Sequence, residues 1–259
     1  MNNIISKANL KGTSPTIGTW LSIGSPVITE LAAASGFDWL LFDMEHGCMT
    51  DAALLGSLQA LNGSPCALIV RVGAPHPDLI QHALDWGADG VMAPHIESAQ
   101  DAEACVRAIQ YPPRGRRGFS RSVRAYRYGM NPPRDAAKIH PVFIAQIESL
   151  KGVSNVAEIA AVDGVDMLFV GPADLAFDIQ ARSNGGGNGA ASYDECICTV
   201  VKAAAQAGKS TGILIRNNAD IGKLAQAGFQ HLAVDSDTGI LRQRYKDLLD
   251  EVKKATGRA

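Results

Sequence analysis

The stretch PVFIAQIESLKGVSNVAEIAAVDGVDMLFVGPADL, residues 141–175, decides the fold. Two short apolar runs rich in β-branched and aromatic residues, PVFIAQIES and MLFVGPADL, flank a segment with helical apolar spacing, VSNVAEIAAV. Runs of that kind read as strands buried on both faces of a parallel sheet, and the segment between them as the crossover helix. The first run closes on Glu148 and the second on Asp174, about one strand–helix unit further on. Neighbouring parallel strands bring both carboxylates to one end of the sheet, within reach of one ion. Capping of the next helices is the alternative reading, since Asp, Ser and Glu are favoured at helix starts. The C-terminal ends of strands are nevertheless where barrel enzymes keep their catalytic groups.

Working outward, the same unit recurs along the chain. Further strand candidates are TIGTWLSI, WLLFDMEHG, CALIVRVG, GVMAPHI, TGILIR and HLAVDSD. Segments with Ala and Leu at three- and four-residue spacing alternate with them, such as PVITELAAAS, HPDLIQHALDWG and YDECICTVVKAAAQAG, and several end in Gly as helix caps do. Eight alternating units predict an α/β chain of the closed (β/α)8 TIM-barrel type, one domain over residues 1–259. An open doubly wound sheet is the competing topology, but no dinucleotide fingerprint follows the first strand.

Composition narrows the setting. A chain of 259 residues with 46% hydrophobic and 19% charged content has the make-up of an ordinary globular domain able to bury a large core. Its net charge of −2 argues against a nucleic-acid or anionic-membrane binder. The N-terminus lacks a signal-peptide pattern and no apolar run is long enough to span a bilayer, which predicts a cytoplasmic protein. The five cysteines, an odd and scattered set, fit neither a disulfide framework nor a zinc pattern.

Two insertions break the rhythm, at about 111–134 and 178–192. Both are rich in Gly, Pro or Arg and read as loops over the barrel mouth or at a subunit contact. The first carries Arg114, Arg116, Arg117, Arg121, Arg124 and Arg127, for solvent, a second subunit or an anionic substrate. The second, DIQARSNGGGNGAAS, reads as a lid or flexible insertion and lacks the Lys-Ser/Thr ending of a phosphate loop.

The strand ends collect a polar rim: Asp43, Glu45 and His46, then Arg71, His95, Gln146 and Glu148, Asp174, and finally Asp235 and Asp237. Two carboxylates without nearby Cys favour a hard divalent ion. Arg71 is suited to a developing enolate and His46 to proton transfer near neutral pH. No strand end carries Lys, since Lys151 and Lys209 lie in turns, which argues against a Schiff-base aldolase.

GFDWLLFDMEHG, the RVG around Arg71, LDWGADGV around Asp85, YPPRGRRG, QIES and VGPADL together resemble the metal-dependent (class II) pyruvate aldolase family of 4-hydroxy-2-oxoheptanedioate and 2-dehydro-3-deoxyglucarate aldolases. The likeness runs from about Ile17 to Leu241. It implies a barrel in which Glu148 and Asp174 hold Mg2+, Mn2+ or Co2+. Gln146 and the backbone around Gly171, Pro172 and Ala173 would hold pyruvate, and Arg71 would stabilise the enolate. His46, oriented by Asp85 and assisted by Asp43, would handle the hydroxyl proton. It also implies a homo-oligomer, a hexamer, whose intersubunit helix GILRQRYKDLLDEVKKA would fit, although its amphipathic pattern equally suits closure of its own barrel. His95, the Gly-rich stretch and VDSD at 234–237 depart from the family pattern. The expected reaction is reversible cleavage of a 4-hydroxy-2-oxo acid to pyruvate and an aldehyde. The alternatives are a lyase acting on a malyl-CoA-type thioester, for which the Arg-rich loop would grip the coenzyme, and a non-catalytic barrel.

Overall fold

Helix starts in this chain share one chemistry. Ser25, Thr50, Ser98, Ser149, Ser192 and Ser236 each stand just before a helix and accept an amide hydrogen from its first turn, and Glu195 completes a capping box with Ser192. Each such cap contributes about 1 kcal/mol and stops the preceding loop at a defined residue. In the computed structural model, which describes residues 15–184 and 191–258, the resulting strands are β1 Thr16–Leu21, β2 Trp39–Asp43, β3 Ala67–Arg71, β4 Gly90–Ala93, β5 Val142–Ile147, β6 Met167–Val170, β7 Ser210–Ile215 and β8 His231–Ser236. The helices are α1 Pro26–Ala34, α2 Asp51–Ala60, α3 Pro77–Asp85, α4 Ala99–Ile109, α5 Leu150–Ser154, α6 Val156–Ala161, α7 Pro172–Asn184, α8 Tyr193–Ala207, α9 Ile221–Ala227 and α10 Asp237–Thr256. All strands are parallel and pair in sequence order, β8 returning to β1 to close the barrel. The (β/α)8 expectation holds.

Alternation along the strands divides the apolar residues into two cores. Leu40, Phe42, Leu68, Val70, Phe143 and Leu168 face the helices. Trp20, Trp39, Leu41, Ile69, Met92, Ile144, Met167 and Phe169 fill the barrel interior. The N-terminal end of the barrel is closed by a repeated device. Asp38, Asp89, Asp166 and Gln230 stand immediately before β2, β4, β6 and β8. Their side-chain oxygens accept the amide hydrogens of Ile17, Leu68, Phe143 and Thr211 on the preceding strands, at 2.7, 3.0, 3.0 and 3.3 Å. A glycine with positive φ lies two residues before each, where the chain turns from helix to strand.

Three expectations need correction. The Arg-rich segment follows α4 and precedes β5, so it is a helix-to-strand connection at the N-terminal floor, not a loop over the mouth. There Arg117 pairs with Asp85 at 2.6 Å, and Arg124 donates to the carbonyls of Trp86 and Leu58 at the ends of α3 and α2, at 2.5 and 2.7 Å. Cations suit helix C-termini, so this loop fastens helices. Second, β6 ends at Val170, and residues 172–184 form α7, shortening the expected insertion at 178–192; residues 185–190 lie outside the described set. Asp174 therefore sits in the first turn of a helix rather than at a strand end. Third, Asp85 ends α3 at the floor, while His46 follows β2 at the mouth, so Asp85 does not orient His46 within one chain.

Burial pushes the Asp89 carboxyl up to about 6, the Leu68 amide only partly offsetting it. The folded state therefore retains a proton that the unfolded chain, near 3.9, has lost. This contribution is most favourable below about pH 4 and is lost as pH rises through about 6, a swing of roughly 2–3 kcal/mol. Asp89→Asn removes the charge and keeps an acceptor for Leu68. It is expected to melt several degrees higher than wild type at pH 8, with the gain shrinking towards zero at pH 4. An equal gain at both pH values would contradict this origin.

Candidate active site

Strand parity builds the site. Along β2 and β3 the inward series Trp39, Leu41 and Ala67, Ile69 continues to Asp43 and Arg71. Along β5, Val142 and Ile144 lead to Gln146 and Glu148, and along β6, Met167 and Phe169 lead to Gly171. Apolar side chains thus fill the barrel to a fixed height, and the next inward residue on each strand is polar or glycine. A tilted Trp20–Phe169 pair, with centroids 5.6 Å apart, forms part of the floor beneath them.

Arg71 is the hub. Its Nε donates to Asp43 Oδ1 at 3.0 Å, Nη2 to Asp43 Oδ2 at 2.6 Å, and Nη1 lies 2.9 Å from Glu45 Oε2. The guanidinium stands 5.1 Å above the Trp20 ring and is only 6% exposed. Burial alone would push the Asp43 carboxyl up. Its bonds to Arg71, the Arg71 charge and the amides of His46 and Glu45 outweigh that and hold it below the usual range. The Nη1–Glu45 approach is an ion pair without a hydrogen bond, and the guanidinium lines the mouth cavity.

Across the mouth, Glu148 is buried, and burial pushes its carboxyl above the usual range, reinforced by the charges of Glu45 and Asp174 and opposed by His95. Its Oε1 accepts the His95 amide hydrogen at 2.7 Å, and its Oε2 accepts a hydrogen bond from Gln146 Nε2. Gln146 Oε1 is buried without a partner among the described residues. A Cβ on Gly171 would come within 2.6 Å of Glu148 Oε2 and 2.8 Å of Gln146 Nε2, so only glycine leaves this cradle open. A buried carboxylate on Glu148, an exposed carboxylate on Asp174 and an unpartnered amide oxygen are a donor set that fits a hard cation and its oxygen ligands.

The remaining expected residues are placed unevenly. The His46 ring is 65% exposed and 3.8 Å from Glu45 Oε1; Asp43 bonds the His46 backbone, at 3.1 Å, and not its ring. The Gly171 amide is taken by the Ile147 carbonyl, and Pro172 has none, so Ala173 and Asp174 supply the open amides at the start of α7. Asp43, His46, Arg71, Gln146 and residues 171–174 line one cavity of about 400 Å3 at the mouth. A larger cavity, about 870 Å3, lies at the floor beside the Arg-rich loop and receives none of these groups. Arg216 and Arg242, which the sequence reading passed over, also line the mouth. The strand-end rule applied to TGILIR would have found Arg216.

Neither Lys151 nor Lys209 lines the mouth cavity, whereas the exposed thiol of Cys48 does. Lys151 pairs with Glu97 at 3.0 Å and Lys209 donates to the Val165 carbonyl at 2.8 Å. The cysteines are free, and burial pushes the Cys66 and Cys105 thiols up to about 12.

Comparison with known proteins finds relatives along nearly the whole chain. Residues 16–243 match the family described as HpcH/HpaI aldolase/citrate lyase. A 5-keto-4-deoxy-D-glucarate aldolase from Salmonella paratyphi C (strain RKS4594) is 39% identical, covering 98% of this chain and 100% of the relative. A hydroxypyruvate/pyruvate aldolase from Paraburkholderia phytofirmans (strain DSM 17436 / LMG 22146 / PsJN) is 38% identical over 95% of this chain and 96% of its own. Among solved structures, a family protein from Burkholderia cenocepacia J2315 superposes with a TM-score of 0.86 at 37% identity, covering 95% of this chain and 98% of that one. This chain belongs to the HpcH/HpaI aldolase/citrate lyase family.

Proposed function

We propose that this aldolase, a carbon–carbon lyase, reversibly cleaves a 4-hydroxy-2-oxo acid into pyruvate and an aldehyde, with Glu148 and Asp174 holding a divalent cation. The observation that carries the reading is the buried Glu148 carboxylate, turned towards the Gly171 cradle beside the unpartnered Gln146 oxygen. Mg2+, Mn2+ and Co2+ all suit two oxygen ligands completed by water and substrate. When bound, the ion supplies positive charge to a 2-oxo acid and to the negative charge that grows on its keto oxygen.

The chain's own groups account for the remaining steps. The Ala173 and Asp174 amides and Gln146 hold the pyruvate half. His46 takes the proton of the 4-hydroxyl, the carbon–carbon bond breaks, and its electron pair moves onto the keto oxygen as an enolate. Arg71 meets that charge with its guanidinium, pre-organised by Asp43 and Glu45, so no reorganisation is needed as the charge forms. The proton held by His46 is then returned to the terminal carbon, which completes pyruvate and restores His46. Asp43 acts on this step by fixing Arg71 and the His46 backbone. A malyl-CoA-type thioester is not favoured, because the Arg-rich segment that would grip the coenzyme lies at the opposite end of the barrel.

We also propose a homo-oligomer, a hexamer by family likeness. On α10, Tyr245, Leu248, Leu249 and Val252 make an exposed apolar row at helical spacing, which a second copy would cover. Among the described residues no helix is long and apolar enough to cross a membrane. A cytoplasmic location and small-molecule rather than nucleic-acid partners fit the composition.

Two measurements test these readings. Pyruvate release from a panel of 4-hydroxy-2-oxo acids is expected to vanish on exhaustive chelation and to return with Mg2+, Mn2+ or Co2+. Cleavage that survives chelation would contradict the assignment of Glu148 and Asp174. Light scattering is expected to give several times the mass of one chain, and a monomer at micromolar concentration would contradict the role of α10.

A further inference from the structure

His95 lies just beyond β4 in a conformation that its residue type rarely adopts. Its φ is +55°, in the left-handed region, where a non-glycine residue is held only if surrounding contacts over-determine it. Three contacts do so. The His95 amide donates to Glu148 Oε1 at 2.7 Å, the ring Nδ1 lies 3.0 Å from that same oxygen, and Nε2 lies 3.1 Å from Glu45 Oε1. The ring itself is 61% exposed, yet the two carboxylates it bridges are almost fully buried. Glu45 in turn reaches Arg71, so one chain of contacts runs from Asp43 through Arg71, Glu45 and His95 to Glu148.

We infer that His95 is a positioning residue for the cation site: it pins Glu148 Oε1 so that Oε2 faces the Gly171 cradle, and Glu45 fixes the imidazole that does the pinning. The inference rests on the reading of Glu148 as a cation ligand. Glu148 Oε1 is taken by His95 through two atoms, and Oε2 is the oxygen a Gly171 side chain would strike. Without the imidazole, the carboxylate would keep only the residue-95 amide and Gln146 Nε2, and the geometry offered to an ion would be less firmly set in advance. Partners that orient a ligand in this way typically govern metal affinity by about 10- to 100-fold.

Asn offers a discriminating substitution, because its amide nitrogen occupies about the place of imidazole Nδ1 and it tolerates left-handed φ. Mn2+ binding to the demetallated full-length protein, followed by electron paramagnetic resonance, is the direct readout, with thermal melting of the metal-free forms alongside. His95→Ala is expected to weaken Mn2+ binding about 10-fold or more. His95→Asn keeps the donor to Glu148, loses Glu45, and is expected to recover most of that affinity. Wild-type affinity in both variants, with or without a lower melting temperature, would overturn the inference, as would equal weakening in both. A wild-type protein that binds no Mn2+ would overturn the cation reading first, and this inference with it.

Discussion

The site depends on one buried ion-pair cluster, the Arg71 guanidinium clasped by Asp43 and Glu45 above the face of Trp20. Withdrawing three charges from water is costly, and such clusters contribute little net stability compared with apolar packing. Removing one member is a different matter, because it strands the others in a low-dielectric setting. The cluster is best understood as stored electrostatic organisation. A cation already desolvated and oriented stabilises a developing oxyanion without waiting for solvent to rearrange. Parallel-strand parity makes this possible, since the residue above the last apolar layer on β2 and β3 must point into the mouth.

The two ends of the barrel divide the work. At the floor, side-chain oxygens of Asp38, Asp89, Asp166 and Gln230 tie successive strands, and Arg124 fastens the ends of α2 and α3. These contacts hold the frame and do no chemistry, and among them the buried Asp89 carboxyl carries a cost once it ionises. At the mouth, carboxylates are buried at a cost, Glu148 has a raised pKa, and Gln146 keeps an unpartnered oxygen. That division follows the general rule that stabilising and catalytic groups occupy opposite faces of a barrel.

Most of the architecture was legible because parallel strands buried on both faces read as near-continuous apolar runs, and because Ser, Thr and Gly punctuate the helices. The misreadings have separate causes. A segment's end of the barrel follows from whether it joins strand to helix or helix to strand; the Arg-rich segment was read by composition alone, and the role of Asp85 came from the family resemblance. The order of α4, the loop and β5 already assigns that segment to the floor. GPADL was absorbed into an apolar run although Gly followed by Pro is a helix start. The Glu45–His95–Glu148 bridge was not legible at all: it joins residues after β2, β4 and β5, and only barrel closure brings those ends together.

Exchange of the pyruvate methyl protons with deuterium, followed by proton nuclear magnetic resonance in the presence of Mg2+, isolates enolate formation from every question about the aldehyde. In the proposed reaction Arg71 stabilises the enolate oxygen from a pre-organised position. Wild-type protein should therefore exchange the methyl protons, and Arg71→Lys, which keeps the charge but loses the planar fork, should exchange them about 10²-fold more slowly. Exchange by Arg71→Lys at the wild-type rate would contradict it.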